Sequence, residues 1–257
     1  VNKKESNWNT RKMKAIIIAA GPGTRLRPYT EKIPKCLIEV AGKPIVKRQL
    51  DVFNKFGVSE VALIRGWQKE KVNFPGITYF DNNDFVNNNI LHSLFHARDF
   101  MTDSFISSYS DIVYNDEIVK TLLDSPADIG VIVDVDWKKT YDGRMKHPVN
   151  EAELILCDKN GKVRKIGKDV VPVDEATGEF VGLAKFVGKG VEILKNEFSR
   201  LEELYAGKEG EPFQHAKKFK KAYLTDMLQE LVDRGHVVYG VKISGGWTEI
   251  DTDEDLT

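Results

Sequence analysis

The 257-residue chain carries 38 lysine and arginine against 39 aspartate and glutamate side chains. With a net charge of −1 it generates no long-range field toward nucleic acid or an anionic membrane surface, so any phosphate must be met by local charge. Cys36 and Cys157 are too few for a disulfide framework, no apolar run is long enough to span a membrane, and the first residues lack the apolar core of a signal peptide. A reducing cytoplasm is the expected location, and the length suits one α/β domain with a substantial core.

Lys14 to Ala20 is a short, isoleucine-rich apolar run, the pattern of a strand buried on both faces of a parallel sheet. It breaks into Gly21-Pro-Gly-Thr-Arg-Leu-Arg27, with Pro34-Lys35 beyond. Gly21 and Gly23 permit positive φ and close backbone approach, so amide N–H groups can face a polyphosphate while Arg25, Arg27 and Lys35 add side-chain charge. A dinucleotide fingerprint would need a third glycine where Leu26 stands, and a Walker loop would need Gly-Lys-Ser/Thr, which is absent.

Ala19 to Thr30 together with Pro34-Lys35 resembles the signature of the sugar-phosphate nucleotidylyltransferase superfamily, Ala-Ala-Gly-x-Gly-Ser/Thr-Arg-Leu-x-Pro-x-Thr and then Pro-Lys. The resemblance implies a Rossmann-like α/β fold, with a mixed, mainly parallel sheet flanked by helices. It also implies nucleotide contacts at Ala20, Gly21, Gly23 and Thr24. Members usually begin near Met13, so residues 1–12, polar and carrying Trp8, read as an appended segment. Without a closing helix after Asp253, residues 13–257 are expected to be one nucleotidyltransferase domain of a longer, bifunctional polypeptide with a fused second enzymatic domain.

Ile45, Val46, Leu50, Phe53 and Phe56 recur at helical spacing, with Gly57 at the C-cap position. Strands at 61–64 and 77–80 then imply parallel pairing through right-handed crossovers, with ligands at the strands' carboxyl ends. Gly66 and Trp67 fall there, and the resemblance places Gly66 among the nucleotide contacts. Asparagines at 82, 83, 87, 88 and 89 precede a helical pattern over 90–101 and exceed what capping requires. With Ser93 they resemble an asparagine-and-serine element of cytidylyltransferases for phosphocholine-like substrates, which assigns Asn88, Asn89 and Ser93 to the border of the acceptor site.

A strand over 105–109 runs into Ser110-Asp111. A carboxylate at the end of a buried strand is costly unless it binds something, and a metal ion is the natural partner. Relatives commonly carry glycine where Ser110 stands, next to the nucleotide. After a strand over 129–135, the segment from Asp136 to Glu153 mixes aromatic, acidic and basic residues, which suits an acceptor bearing both a phosphate-like group and an amine. Asp134 and Asp136 would offer carboxylates to an ammonium, Trp137 and Tyr141 π faces to it, and Arg144 a planar fork to a phosphonate. The segment resembles its counterpart in 2-aminoethylphosphonate cytidylyltransferases more than that of hexose-1-phosphate enzymes.

Asp158-Lys-Asn-Gly161 joins two strands as a hairpin. In the strand over 178–186, the resemblance sets Glu179, Gly182 and Lys185 around the acceptor, with Lys185 as a phosphonate ligand. Helices are expected over 191–205 and 223–234, the lysines from 217 to 221 form a solvated face, and a strand follows over 237–241. Trp247 to Asp255 matches the superfamily's closing motif, in which an aspartate completes the metal site. Asp251 is that residue, and Glu249 is the competing carboxylate.

Two aspartates select a hard cation, Mg²⁺. Arg25 would hold the leaving pyrophosphate and Lys35 bridge the α-phosphate and the acceptor. The expected partners are CTP and a small phosphonate or phosphate acceptor, best matched by 2-aminoethylphosphonate; nucleic acid and membrane are not expected, and a homo-oligomer is compatible with the sequence. Phosphocholine cytidylyl transfer, hexose-1-phosphate uridylyl or thymidylyl transfer, and an inactive regulatory nucleotide-binding subunit are the rivals.

Overall fold

The computed structural model describes residues 13–256, so the appended segment 1–12 lies outside the described residues. In chain order the strands are Lys14–Ala19 (β1), Glu39–Val40 (β2), Lys43–Pro44 (β3), Glu60–Arg65 (β4), Ile77–Asp81 (β5), Ser104–Tyr109 (β6) and Ile112–Tyr114 (β7). Ile129–Asp134 (β8), Leu154–Cys157 (β9), Val163–Gly167 (β10), Gly178–Val187 (β11), Tyr239–Ile243 (β12) and Trp247–Glu249 (β13) complete them. The helices are Ile45–Lys55 (α1), Ile90–Phe95 (α2), Asp116–Asp124 (α3), Lys189–Leu204 (α4) and Leu224–Asp233 (α5).

The main sheet runs β5-β4-β1-β6-β11, with β8 and β9 both paired to β11, β12 beyond β8 and β10 beyond β9. β1, β4, β5 and β6 are mutually parallel. Along β1, Ile16 and Ile18 enter the core shared with α2, α4 and α5, while Ala15 and Ile17 enter the one shared with α1 and α3. A fully buried isoleucine contributes about 1.5–3 kcal/mol. That burial holds β1 in place although its carboxyl end must open into a polar loop.

The helical pattern over 90–101 divides into α2 and a 3-10 turn at Arg98–Phe100. Leu91, Leu94, Ala97 and Phe100 are spaced by three, the repeat of the tighter helix, and Phe100 N accordingly donates to Ala97 O at 2.9 Å. The last main-sheet strand sits at 239–243 rather than 237–241, because its register is set by parallel pairing of Tyr239 with Gly130 and Ile243 with Asp134.

Two features position the site. β6, β1 and β4 are neighbours, so the segments after Tyr109, Ala19 and Arg65 emerge together at one sheet edge. β11 is antiparallel to β6, with Leu183 opposite Ser108 and Phe186 opposite Phe105. Its first residues therefore lie at that same edge and its last ones at the opposite edge.

Candidate active site

After β1 the chain turns through Ala20–Gly23 into a 3-10 turn at Thr24–Leu26. Gly23 has φ +56°, and a Cβ there would stand 3.0 Å from Lys35 Cβ, so glycine both permits the turn and lets the lysine pass. Thr30 Oγ1 donates to the Gly23 carbonyl at 2.7 Å, and Leu26 packs with Ile38, Ile45 and Ile250. The loop walls a cleft of about 510 Å³ lined by Ala20, Gly21, Gly23, Thr24, Arg25, Lys35, Ser110, Asp111 and Asp251. Opposite them stand Phe85, Asn88, Asn89, Ser93, Tyr109 and Lys221. Gly66 supports the loop from behind, since a Cβ there would meet the Ala20 carbonyl at 2.4 Å. Trp67 Nε1 donates to Thr30 O at 3.3 Å and its ring packs edge-on against Phe85, so it braces the loop and the cleft wall.

At the floor, Lys35 Nζ donates to Asp111 Oδ2 at 2.8 Å and to Asp251 Oδ1 at 2.7 Å. Arg25 Nη2 lies 2.8 Å from Asp251 Oδ2, and His147 Nδ1 donates to the same oxygen at 2.8 Å. β13 brings these distant residues together: it pairs with β7, and Ile250 N donates to the Asp111 carbonyl at 2.8 Å. Gln49 of α1 secures the turn between β6 and β7, donating to Tyr109 O and Ile112 O at 2.8 Å each.

Burial alone would drive the Lys35 ammonium neutral, but Asp111, Asp251 and Glu249 outweigh it and raise its pKa. Burial likewise opposes ionisation of Asp251; the His147 hydrogen bond and the Lys35 and Arg25 charges override it and hold the carboxyl well below the usual range. Glu249 is pushed up to about 7 by burial and by Asp111. Asp111 Oδ1 is buried and has no hydrogen-bond partner among the described residues.

Beside the cleft lies a recess of about 100 Å³ lined by Glu153, Glu179, Glu249, Lys168, His147, Gly182 and Trp247, among others. Arg25, Tyr109, Asp111 and Tyr223 line both spaces, so the two meet at the charged floor. Gly182, at φ +85°, sits where a Cβ would press 2.6 Å into the Tyr109 ring. Glu153 accepts from Thr225 Oγ1 at 2.7 Å and from Tyr109 Oη at 3.2 Å, and Glu179 accepts from Tyr141 Oη.

Several assigned residues lie elsewhere. Lys185 projects onto the end of α3 and donates to the Leu123 and Ser125 carbonyls. Six residues beyond Glu179, it stands roughly 20 Å further along β11, toward the other sheet edge. Asp136 is on the surface with Ser244 and Lys139, and Arg144 pairs with Asp255 at 2.8 Å instead of reaching the recess. Asp134 is consumed by the amides of Asp136 and Gly245 and by Trp247 Nε1, while Trp137 is buried with Ala152 and Leu154. Asn89 and Ser93 line the larger cleft and not the recess. Asn82 bridges this wall from within, donating to Asn88 Oδ1 at 2.7 Å and to Ser93 Oγ at 2.9 Å.

Residues 15–159, more than half of the chain, match the model of the MobA-like NTP transferase domain. The chain belongs to this nucleotidyltransferase family. It is 31% identical over 255 residues to CTP:phosphoglutamine cytidylyltransferase of Campylobacter jejuni, covering 95% of this chain and 98% of that one. It is 28% identical over 256 residues to the bifunctional protein GlmU of Methanococcus maripaludis, and the match spans 93% of this chain but only 51% of that protein. Its fold matches the solved structure of CTP:phosphocholine cytidylyltransferase from Streptococcus pneumoniae with a TM-score of 0.71 at 21% identity, over 95% of this chain and 96% of that one.

In this MobA-like nucleotidyltransferase, Lys168, Tyr109 and Tyr223 line the recess without being singled out by the sequence reading, which covers His147 and Glu153 only as part of the segment from Asp136 to Glu153. The one signal available was placement: Glu153 abuts an apolar strand and His147 sits in a polar loop, each buried at 8% and 3% exposure. Gln49 carries a clearer mark, a polar residue on the buried face of amphipathic α1.

Proposed function

We propose that this nucleotidyltransferase moves a cytidylyl group from CTP to the phosphonate or phosphate oxygen of a small acceptor bearing an amine, best represented by 2-aminoethylphosphonate, and releases pyrophosphate. The supporting observation is the floor itself, where Lys35 stands between Asp111 and Asp251 in the glycine-loop cleft while Arg25 and Asp111 also border the adjoining recess. The triphosphate would lie along the loop amides with the base toward Phe85 and the asparagine wall, and the acceptor would enter from the recess. CTP is favoured by likeness to the Campylobacter enzyme, whose name carries that nucleotide.

The acceptor oxygen is already anionic, so no general base is needed; catalysis rests on alignment and on charge placed where it develops. Arg25 would draw charge onto the leaving pyrophosphate. Lys35 would exchange its carboxylate contacts for the α-phosphate and the acceptor as they arrive. The donor set fits Mg²⁺: Asp111 and Asp251 are hard oxygen ligands, and Asp111 Oδ1 is buried without a partner among the described residues. Bound there, the ion would supply positive charge to the phosphates. His147 would hold Asp251 in place. Residues 13–257 would act as one catalytic domain in the cytoplasm; no described helix is long and apolar enough to cross a membrane.

The test is pyrophosphate release with Mg²⁺, crossing CTP, UTP, ATP, GTP and dTTP with 2-aminoethylphosphonate, phosphocholine and glucose-1-phosphate. Dominance of CTP with 2-aminoethylphosphonate is expected. A dominant hexose phosphate, or a dominant nucleotide other than CTP, overturns the reading.

A further inference from the structure

The recess is an acidic chamber whose charges are unequally answered. Glu153 and Glu179 rise from neighbouring strand positions, since Phe180 N donates to the Glu153 carbonyl at 2.8 Å and Glu179 pairs with Leu154. Glu249 faces the same space. Against these three carboxylates the basic groups lining the recess are largely committed elsewhere: Lys168 to Glu151 at 2.6 Å, Arg25 to Asp251 at 2.8 Å, and His147 to Asp251 through Nδ1 at 2.8 Å, its Nε2 standing 3.6 Å from Glu249. Glu179 is 4% exposed, and while Tyr141 satisfies its Oε1, its Oε2 is buried with no hydrogen-bond partner among the described residues. A buried carboxylate oxygen without a donor is costly, and a ligand that supplies both a proton donor and positive charge removes that cost.

Resting on the acceptor reading above, we propose that Glu179, positioned by Tyr141 and flanked by Glu153, is the seat of the acceptor's cationic end, and that it selects an ammonium carrying N–H bonds over a quaternary ammonium or a neutral hydroxyl. A primary ammonium brings three N–H donors and a full charge to the unpartnered Oε2. A trimethylammonium brings charge and no donor, and the tyrosine hydroxyls beside the seat are turned into carboxylates: Tyr109 into Glu153, Tyr141 into Glu179. A hydroxyl brings a donor and no charge. The acceptor is thus gripped at both ends, its anionic oxygen at the Lys35 floor and its ammonium at Glu179.

The test is equilibrium binding by calorimetry of 2-aminoethylphosphonate, its N-trimethyl analogue and 2-hydroxyethylphosphonate, to the wild type, Glu179→Gln and Tyr141→Phe, with pyrophosphate release read in parallel. The wild type is expected to prefer the primary amine by roughly tenfold to a hundredfold, the worth of one charge-assisted hydrogen bond. Glu179→Gln should collapse that preference, and Tyr141→Phe, which keeps the carboxylate but loosens it, should erode it in part. Equal binding of the three ligands by the wild type, or an undiminished preference in Glu179→Gln, overturns the seat. Selective binding without pyrophosphate release from CTP upholds the seat and overturns the transfer reading instead.

Discussion

The cleft and the recess are adjacent, share a floor and are built on opposite plans. The cleft's binding wall comes from one contiguous loop, and the charges of its carboxylates are met by Lys35, Arg25 and His147, with Asp111 Oδ1 alone lacking a hydrogen-bond partner among the described residues. The recess is assembled from β11, β13 and the segments before β9 and α5, and it leaves buried acid unanswered. A compartment that compensates its own charge can accept different anions, whereas one that does not is waiting for a particular cation. On the proposed function, the first suits a chemistry shared across a family and the second the choice of one acceptor.

Substitutions can break that contrast, beginning with the largest effect. Lys35→Ala should lower kcat by several orders of magnitude in pyrophosphate assays. Lys35 is only 8% exposed, so the change also strips a buried cation from Asp111 and Asp251, and a stability loss of about 3–5 kcal/mol should appear in chemical denaturation. Near-normal turnover would remove Lys35 from the mechanism. Asp251→Asn should shift the Mg²⁺ titration of activity to higher concentration, and an unmoved titration would direct attention to Glu249.

The recess should reveal itself through pH. Burial, together with Glu249, Glu153 and Asp134, pushes Glu179 up to about 8, the Tyr141 hydrogen bond only partly offsetting this. Because the folded value lies above the unfolded one, the folded state holds the proton more tightly. Glu179's contribution to stability is therefore fully present at low pH and declines as pH rises from the unfolded carboxyl value, about 4.3, toward 8, by at most about 1.4 kcal/mol per pH unit across that window. Glu179→Gln should flatten that decline in denaturation curves collected between about pH 5 and pH 8, and an unchanged slope would show that Glu179 is not its source.

Gly182→Ala should raise the acceptor KM more than the CTP KM, because the added methyl strikes Tyr109 at the recess wall; the strained φ should cost about 1 kcal/mol besides. The smallest effect on activity belongs to Lys185→Met, which removes donors from the Leu123 and Ser125 carbonyls and should cost about 1–2 kcal/mol of stability with kcat and KM unaltered. A change in acceptor KM would return Lys185 to the site.

The same contrast explains what the sequence made legible. The loop from Ala20 to Lys35 is local: glycine, arginine and lysine spacing within one stretch encodes its geometry, so its place on the cleft wall could be read directly. The strand ending at Asp111 was readable for a similar reason, as an acid terminating an apolar run. The recess depends on strand direction and register, which periodicity does not carry. Glu179 and Lys185 look equivalent along one apolar strand, and the antiparallel pairing of β11 with β6 sends one to the recess and the other to α3. Aromatic and acidic residues at 134–144 advertised binding chemistry, yet Asp134 and Trp137 serve the local scaffold.

The pairing of β13 with β7 also sets an order of assembly. Every main-sheet strand precedes Trp247 in the chain, so a ribosome can release a nearly complete sheet while Lys35 still lacks one of its two carboxylates. Only when the segment through Asp251 emerges and pairs beside Asp111 does the floor close. On the proposed function, catalytic competence would arrive after the sheet, and a nascent chain carrying the glycine loop and all nine main-sheet strands would still be an unfinished enzyme.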